Sequence, residues 1–356
     1  MPTLFDPITL GELKLPNRIL MAPLTRCRAE AGRVPGKLML EYYKQRTSAG
    51  LIFSEATSVT PMGVGYPDTP GIWSAAQVAG WQPITQAVHA AGGQMLLQLW
   101  HVGRISDPSY LDGELPVAPS AVQPAGHVSL IRPKKDFVTP RALDITEIPH
   151  VVEAFRHGAE NARRAGFDGV EIHSANGYLI DQFLQTKANR RTDAYGGPIE
   201  NRARLLLEIV DAVTTVWPAG RVGVHLAPRG DSYDMGDADP AALFGHVAEA
   251  LGARHIAFIC TREHAGEDSL AGLIRARFSG AYIANEAFDQ QQAESWVESG
   301  RADAVAFGKL FIANPDLPQR FARSAALNPP RPELFFAPGA EGYIDYPFMA
   351  DVTAPA

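Results

Sequence analysis

Cysteine is almost missing from this sequence. Cys27 and Cys260 are the two in 356 residues, far apart and outside any CxxC or Cys/His cluster. That spacing argues against a disulfide framework or a structural zinc site, so no metal is expected and a reducing cytoplasm is the simpler setting. No apolar run approaches the roughly 18 uncharged residues that suggest a membrane span. The start, MPTLFDPITLGELKLPNR, has no basic segment followed by an apolar core, so export is not expected either. Positive charge is not in excess: 32 Lys and Arg stand against 39 Asp and Glu, a formal net charge of −7, with no basic patch for nucleic acid. No low-complexity tract or linker interrupts the chain.

What the chain does have is apolar residue, 46% of the total, arranged in short runs that alternate with longer segments of helical period. The runs predict strands at 17–23, 50–56, 94–100, 169–174, 221–227, 255–260, 281–285 and 304–308. Helices are predicted between them at 36–49, 76–91, 144–164, 198–217, 240–252, 288–299 and 315–325, several opened by Pro, Asp or Thr and closed near Gly. Continuous rather than alternating apolarity suits strands buried on both faces. Eight such units predict an α/β fold of the (β/α)8 TIM-barrel type, in one domain spanning 1–356. A doubly wound sheet is the rival, but no GxGxxG turn follows the first strand. Two additions are expected: an N-terminal β-hairpin over 3–15, turning at Leu10-Gly11 and placed to plug the barrel bottom, and a long inserted loop of about 101–143 after the third strand.

In a barrel, function gathers at the C-terminal strand ends. Here these carry Pro23 and Thr25, Glu55 and Ala56, Gln98, Trp100 and His101, then His173, Asn176 and Tyr178, and later His225, Cys260, Asn285, Glu286, Gly308 and Lys309. Most are neutral hydrogen-bonding groups. Hydrolysis by metal-bound water needs converging ligands, and glycoside hydrolysis needs two carboxylates at strand ends; neither pattern stands out. The set better suits a planar ligand rich in heteroatoms, with a tyrosine as proton donor.

Seven stretches, NRILMAPLTR (17–26), AGLIFSEAT (49–57), LLQLWHVGR (96–104), GFDGVEIHSANGYLIDQFL (166–184), NRRTDAYGGPIENRARLLLE (189–208), ADAVAFGKLFIANPDLP (302–318) and GYIDYP (342–347), together resemble the Old Yellow Enzyme family of FMN-dependent ene-reductases, part of the NADH:flavin oxidoreductases. The match runs in order from about residue 4 to 348. The resemblance implies tight, non-covalent FMN at the barrel mouth, NADPH or NADH as hydride donor, and reduction of the activated C=C bond of α,β-unsaturated carbonyl or nitro compounds. It implies that His173 and Asn176 bind the substrate oxygen and that Tyr178 gives a proton to the α-carbon. Thr25 and Gln98 would contact the flavin ring, Pro23, Ala56 and Gly308 would line its site, and Tyr66, Trp100 and Tyr343 would be aromatic walls of the substrate pocket.

Three places depart from the family pattern. His225 replaces an Arg that faces the flavin pyrimidine, Lys309 replaces an Arg on the FMN phosphate, and Glu286-Ala287 stand where relatives usually have a Gly with its neighbour giving backbone amides to that phosphate. Lysine keeps the charge without the bidentate fork, and a carboxylate beside a phosphate is unfavourable unless Glu286 turns away or pairs with Lys309. These changes lower the expected FMN affinity. They leave two alternatives on the same barrel: a redox-silent isomerase or lyase, and a flavin-poor ligand-binding member. His101 and Cys27 are expected to be packed groups, and Glu55 could be a buried partner of an arginine as readily as a base, with no catalytic role assigned to it. The expected partners are small electrophilic alkenes, with no nucleic acid and no membrane, for a monomer or homodimer.

Overall fold

The computed structural model describes residues 1–349; residues 350–356, which the single-domain expectation included, lie outside the described part. A hairpin comes first, β1 (Ile8–Leu10) and β2 (Leu13–Leu15), antiparallel with Leu10 opposite Leu13. Eight parallel strands follow: β3 (Ile19–Met21), β4 (Ile52–Phe53), β5 (Met95–Trp100), β6 (Gly169–Ser174), β7 (Val222–Leu226), β8 (Phe258–Arg262), β9 (Ala281–Asn285) and β10 (Ala304–Phe307). Each pairs with the next, and Val305 of β10 pairs with Ile19 of β3, which closes the ring. This is the (β/α)8 barrel.

The apolar runs predicted the strands because both faces are covered: β5 and β6 are buried at all six positions. Inside the ring, Leu20, Phe53, Leu96, Phe258, Cys260 and Ile283 pack with Leu10, Leu13 and Leu15 of the hairpin. The hairpin therefore closes the N-terminal end of the barrel. Its turn depends on Gly11, at φ 58°, where a Cβ would stand 2.3 Å from the Gly220 carbonyl oxygen.

The outer layer is α1 (Lys37–Lys44), α2 (Ala75–Ala90), α3 (Ile148–Arg164), α4 (Leu179–Leu184), α5 (Ile199–Thr214), α6 (Pro240–Gly252), α7 (Ala271–Arg277), α8 (Gln290–Glu298), α9 (Lys309–Ala313) and α10 (Leu317–Ala322). Starts follow the local chemistry: Ser74 and Gln77 form a capping box at α2, and Asp239 caps α6 just ahead of Pro240. The expected helix 315–325 is only Leu317–Ala322, preceded by the separate short α9. Helix α7 was not expected, since its seven residues show little apolar period. Strand β8 runs to Arg262, two residues beyond the predicted end at 260. That extension brings Arg262 to the mouth.

The inserted segment folds over the end of β5. Val102, Ile105, Val128 and Phe137 pack with Ala56, Tyr66 and Trp100, forming an apolar roof beside the mouth.

Candidate active site

The open end of the barrel holds a cavity of about 440 Å³, within the range of small-ligand sites. Strand β6 delivers its first functional group. His173 is 4% exposed, and the Ala175 N–H donates to its Nδ1 at 3.3 Å. That bond places the ring proton on Nε2. Burial pushes the imidazole well below its ordinary pKa, with the neighbouring His225 and Arg262 acting the same way, so His173 is a neutral donor at physiological pH.

Beyond the strand the chain turns sharply, with Asn176 at φ 61° and Gly177 at φ 78°. The Gly177 N–H donates to Asp181 Oδ2 at 2.9 Å, and Gln185 Nε2 donates to Asp181 Oδ1 at 2.6 Å. Burial pushes the Asp181 carboxyl up to about 7. The turn ends at Tyr178, the cap of α4, whose ring stands edge-on to His173 at 5.0 Å and to Trp100 at 5.1 Å. Its hydroxyl lies 2.8 Å from that of Tyr66, which lies 3.2 Å from that of Tyr233. Burial raises the Tyr178 phenol above its usual range, so it stays protonated.

The same cavity is also lined by Pro23, Thr25, Ala56, Gln98, His225, Glu286, Ala287, Gly308 and Lys309, with His225 paired to His173 on the adjacent strand. Gln98 Nε2 donates to Glu171 Oε2 at 2.7 Å, which leaves its amide oxygen for a ligand. Both ring nitrogens of His225, Nε1 of Trp100 and Oε1 of Glu171 have no hydrogen-bond partner. Glu286 neither faces the cavity alone nor pairs with Lys309: its carboxylate is ion-paired with Arg262, with His264 Nε2 3.8 Å away.

Tyr343 is a correction. It is fully buried outside the cavity, stacked on Tyr42 at 4.2 Å, with the guanidinium carbons of Arg26 and Arg28 5.0 and 4.6 Å from its ring centre. Tyr66 and Trp100 do line the cavity, and Phe335 and Phe336 add aromatic surface to it. A cation–π stack fixes Tyr343 where sequence position alone suggested a pocket wall. Arg262, Phe335 and Phe336 line the cavity and were missed; an Arg just past the last apolar residue of a strand was the available signal for the first.

The remaining candidates are structural. His101 Nδ1 accepts from the Gly103 N–H at 3.0 Å, and burial pushes its pKa down to about 3. Glu55, pushed up to about 7 by burial, accepts from the Arg26 N–H at 3.2 Å and supports the loop carrying Thr25. Cys27 is buried and its thiol is pushed up to about 12. Barrel register also assembles what sequence spacing hid: Glu171, His225 and Cys260, on three adjacent strands, have ligand atoms within 4.8 Å of one another. Burial pushes the Cys260 thiol well above its ordinary pKa. Glu171 Oε1 is 3.5 Å from His225 Nδ1, a carboxylate–imidazole pair under the cavity.

Fold and site together define a (β/α)8-barrel protein whose mouth is built for a planar, heteroatom-rich ligand. The model of the NADH:flavin oxidoreductase / NADH oxidase family matches residues 3–328, and the chain belongs to that family, the one that includes the Old Yellow Enzymes. It is 42% identical to 12-oxophytodienoate reductase 1 of Oryza sativa subsp. japonica over 367 residues, covering 98% of this chain and 94% of the relative. Among solved structures, morphinone reductase in complex with tetrahydroNAD superposes with a TM-score of 0.95 at 48% identity, covering all of both chains. The Old Yellow Enzyme homologue from Zymomonas mobilis superposes with a TM-score of 0.95 at 44% identity, covering 98% of this chain and all of the other.

The protein is accordingly an NAD(P)H-dependent flavin oxidoreductase that uses FMN. Its residues fit that group. The cavity offers Gln98 and His225 as unspent polar partners, and the Arg262 pair removes the uncompensated carboxylate from the end where Lys309 stands. Among the described residues no helix is long and apolar enough to cross a membrane.

Proposed function

We propose that this chain is an ene-reductase for α,β-unsaturated carbonyl or nitro compounds, with His173 and Asn176 binding the substrate oxygen and Tyr178 as proton donor. The carrying observation is the neutral His173 Nε2–H, the Asn176 turn and the protonated Tyr178 hydroxyl converging on one cavity. Donors fixed before reaction stabilise negative charge as it develops on the substrate oxygen, because no reorganisation is needed at that moment. FMN, when bound, supplies the two-electron store that accepts hydride from NADPH or NADH and passes it to the alkene. Tyr178 then protonates the α-carbon, and the Tyr66 hydroxyl is in reach to return the proton. Pro23, Thr25, Ala56, Gln98, His225, Glu286, Ala287, Gly308 and Lys309 are the proposed FMN-facing set, and Tyr66 and Trp100 the substrate walls. The relatives' names, reductases of 12-oxophytodienoate and morphinone, support the reduction of a small organic substrate. We place the protein in the cytoplasm as a single barrel domain; its two cysteines are both free.

The experiment is anaerobic reduction of the FMN-loaded protein by a nicotinamide donor, then addition of 2-cyclohexen-1-one. Bleaching and recolouring of the flavin, with cyclohexanone as product, is expected. A flavin that bleaches but is not reoxidised by any enone or nitroalkene would sink the proposal.

A further inference from the structure

Arg262 lies outside every expected role, yet it touches the centre of the site. Strand register sets Arg262 opposite Asn285, so Glu286 falls one residue on, beside the guanidinium. The pair forms there, and Arg262 Nη1 donates to Asn176 Oδ1 at 3.0 Å. Arg262 lines the main cavity and also a neighbouring one of about 190 Å³ that it shares with Asn176, Glu263 and Glu286.

We propose that Arg262 is a positioning residue for the oxygen-binding pair: clamped by Glu286, it holds the Asn176 side-chain oxygen and so turns the Asn176 amide N–H toward the cavity beside the His173 Nε2–H. The inference rests on the reading that His173 and Asn176 bind the substrate oxygen. A primary amide carries an acceptor on one side and two donors on the other. Without a partner for its oxygen it can present either, and an acceptor facing a substrate oxygen repels it. Arginine has donors and no acceptor, so it can hold only the oxygen. The Glu286 carboxylate explains the geometry of the clamp: it fixes a long, 44% exposed side chain that would otherwise sample many rotamers. The guanidinium charge also favours ionisation of Tyr178 and disfavours a charge on His173, both useful to the step.

The bland reading is an ion pair that merely ties β8 to the loop after β9. A double-mutant cycle separates the two. FMN-loaded native protein, R262Q, R262K, N176A and R262Q/N176A are titrated with 4-hydroxybenzaldehyde, an oxygen ligand that is not a substrate for reduction, followed by flavin absorbance. Reoxidation of the reduced proteins by 2-cyclohexen-1-one is measured alongside, with FMN retention and Tm recorded for each. R262Q is expected to weaken binding about tenfold, R262K to recover part of it, and R262Q to change binding by less than about twofold once Asn176 is gone. An equal effect of R262Q in both backgrounds overturns the proposal, as does unchanged binding by R262Q while N176A weakens it; in both cases the oxygen-pair reading survives. If N176A itself leaves binding unchanged, that reading fails first. Should R262Q not retain FMN, E286Q decides: it loosens the guanidinium without removing it, is expected to weaken binding about threefold, and unchanged binding there overturns the proposal.

Discussion

The two sides of the barrel mouth are held in different ways. On the β6 side, His173, the Asn176-Gly177 turn and Tyr178 are fixed by backbone N–H groups, a buried Asp181 and packed rings. On the β9 and β10 side, Glu286 at φ 108° and Ala287 at φ 58° adopt backbone shapes that L residues rarely take, and charge holds the local arrangement. Asn176 also has a positive φ, but Asn tolerates that region and Gly177 follows it. One side is preorganised by hydrogen bonds that solvent does not weaken. The other has exchanged conformational ease for an ion pair at the cavity's edge. The proposed proton transfer and oxygen binding fall on the first side, and the proposed phosphate end of the FMN site on the second.

Tyr178→Phe should have the largest effect and should break the comparison cleanly. It removes the proposed proton donor and leaves the ring packed, so flavin reoxidation by 2-cyclohexen-1-one is expected to slow by about a hundredfold or more. Reduction by the nicotinamide donor should hold within about twofold, as read by stopped-flow absorbance. A matching loss in both half-reactions would show that Tyr178 shapes the cavity rather than protonating.

A smaller change is expected on the other side. His225→Arg with Lys309→Arg adds a permanent cation and a bidentate fork, and FMN retention should tighten about tenfold in equilibrium dialysis. No change would mean that these two positions do not face the flavin. Ala287→Gly should relieve its positive φ and stabilise the fold by about 1 kcal/mol, measured by urea denaturation. Loss of stability there would mean that the Ala287 methyl packs usefully against its surroundings.

A pH-dependent effect lies beneath both sides, at Glu55. Its folded pKa, about 7, exceeds the 4.5 of the free side chain. A raised carboxyl contributes stability below about pH 4.5 that is lost as pH rises through 7. Glu55→Gln cannot ionise, so its Tm relative to the native protein should rise between pH 5 and pH 8. A difference constant across that interval would place the carboxyl in a wetter site than the structure shows.

Much of the fold was legible in the chain because its physics is local or nearly so. Strands covered on both faces need unbroken apolar runs, which is why all eight barrel strands fall within or beside the predicted segments. The hairpin was legible from Leu10-Gly11 and the flanking alternation. Helix α7 was not, because seven residues give less than two full turns of pattern. In the site, the strand-end rule and the family resemblance brought the trio at 173–178 to one place. They misplaced Tyr343, whose position is decided by stacking with Tyr42 and two arginines.

By itself, then, the sequence determined the barrel, the hairpin plug and the family, since apolar period and local motif survive any arrangement of distant parts. Tertiary structure alone decided that Glu286 answers Arg262 rather than Lys309, that Glu171 and Cys260 meet His225, and that Arg262 reaches Asn176. The reason is the register of a closed parallel sheet: it sets residues tens of positions apart side by side, and no local pattern encodes which atoms then touch.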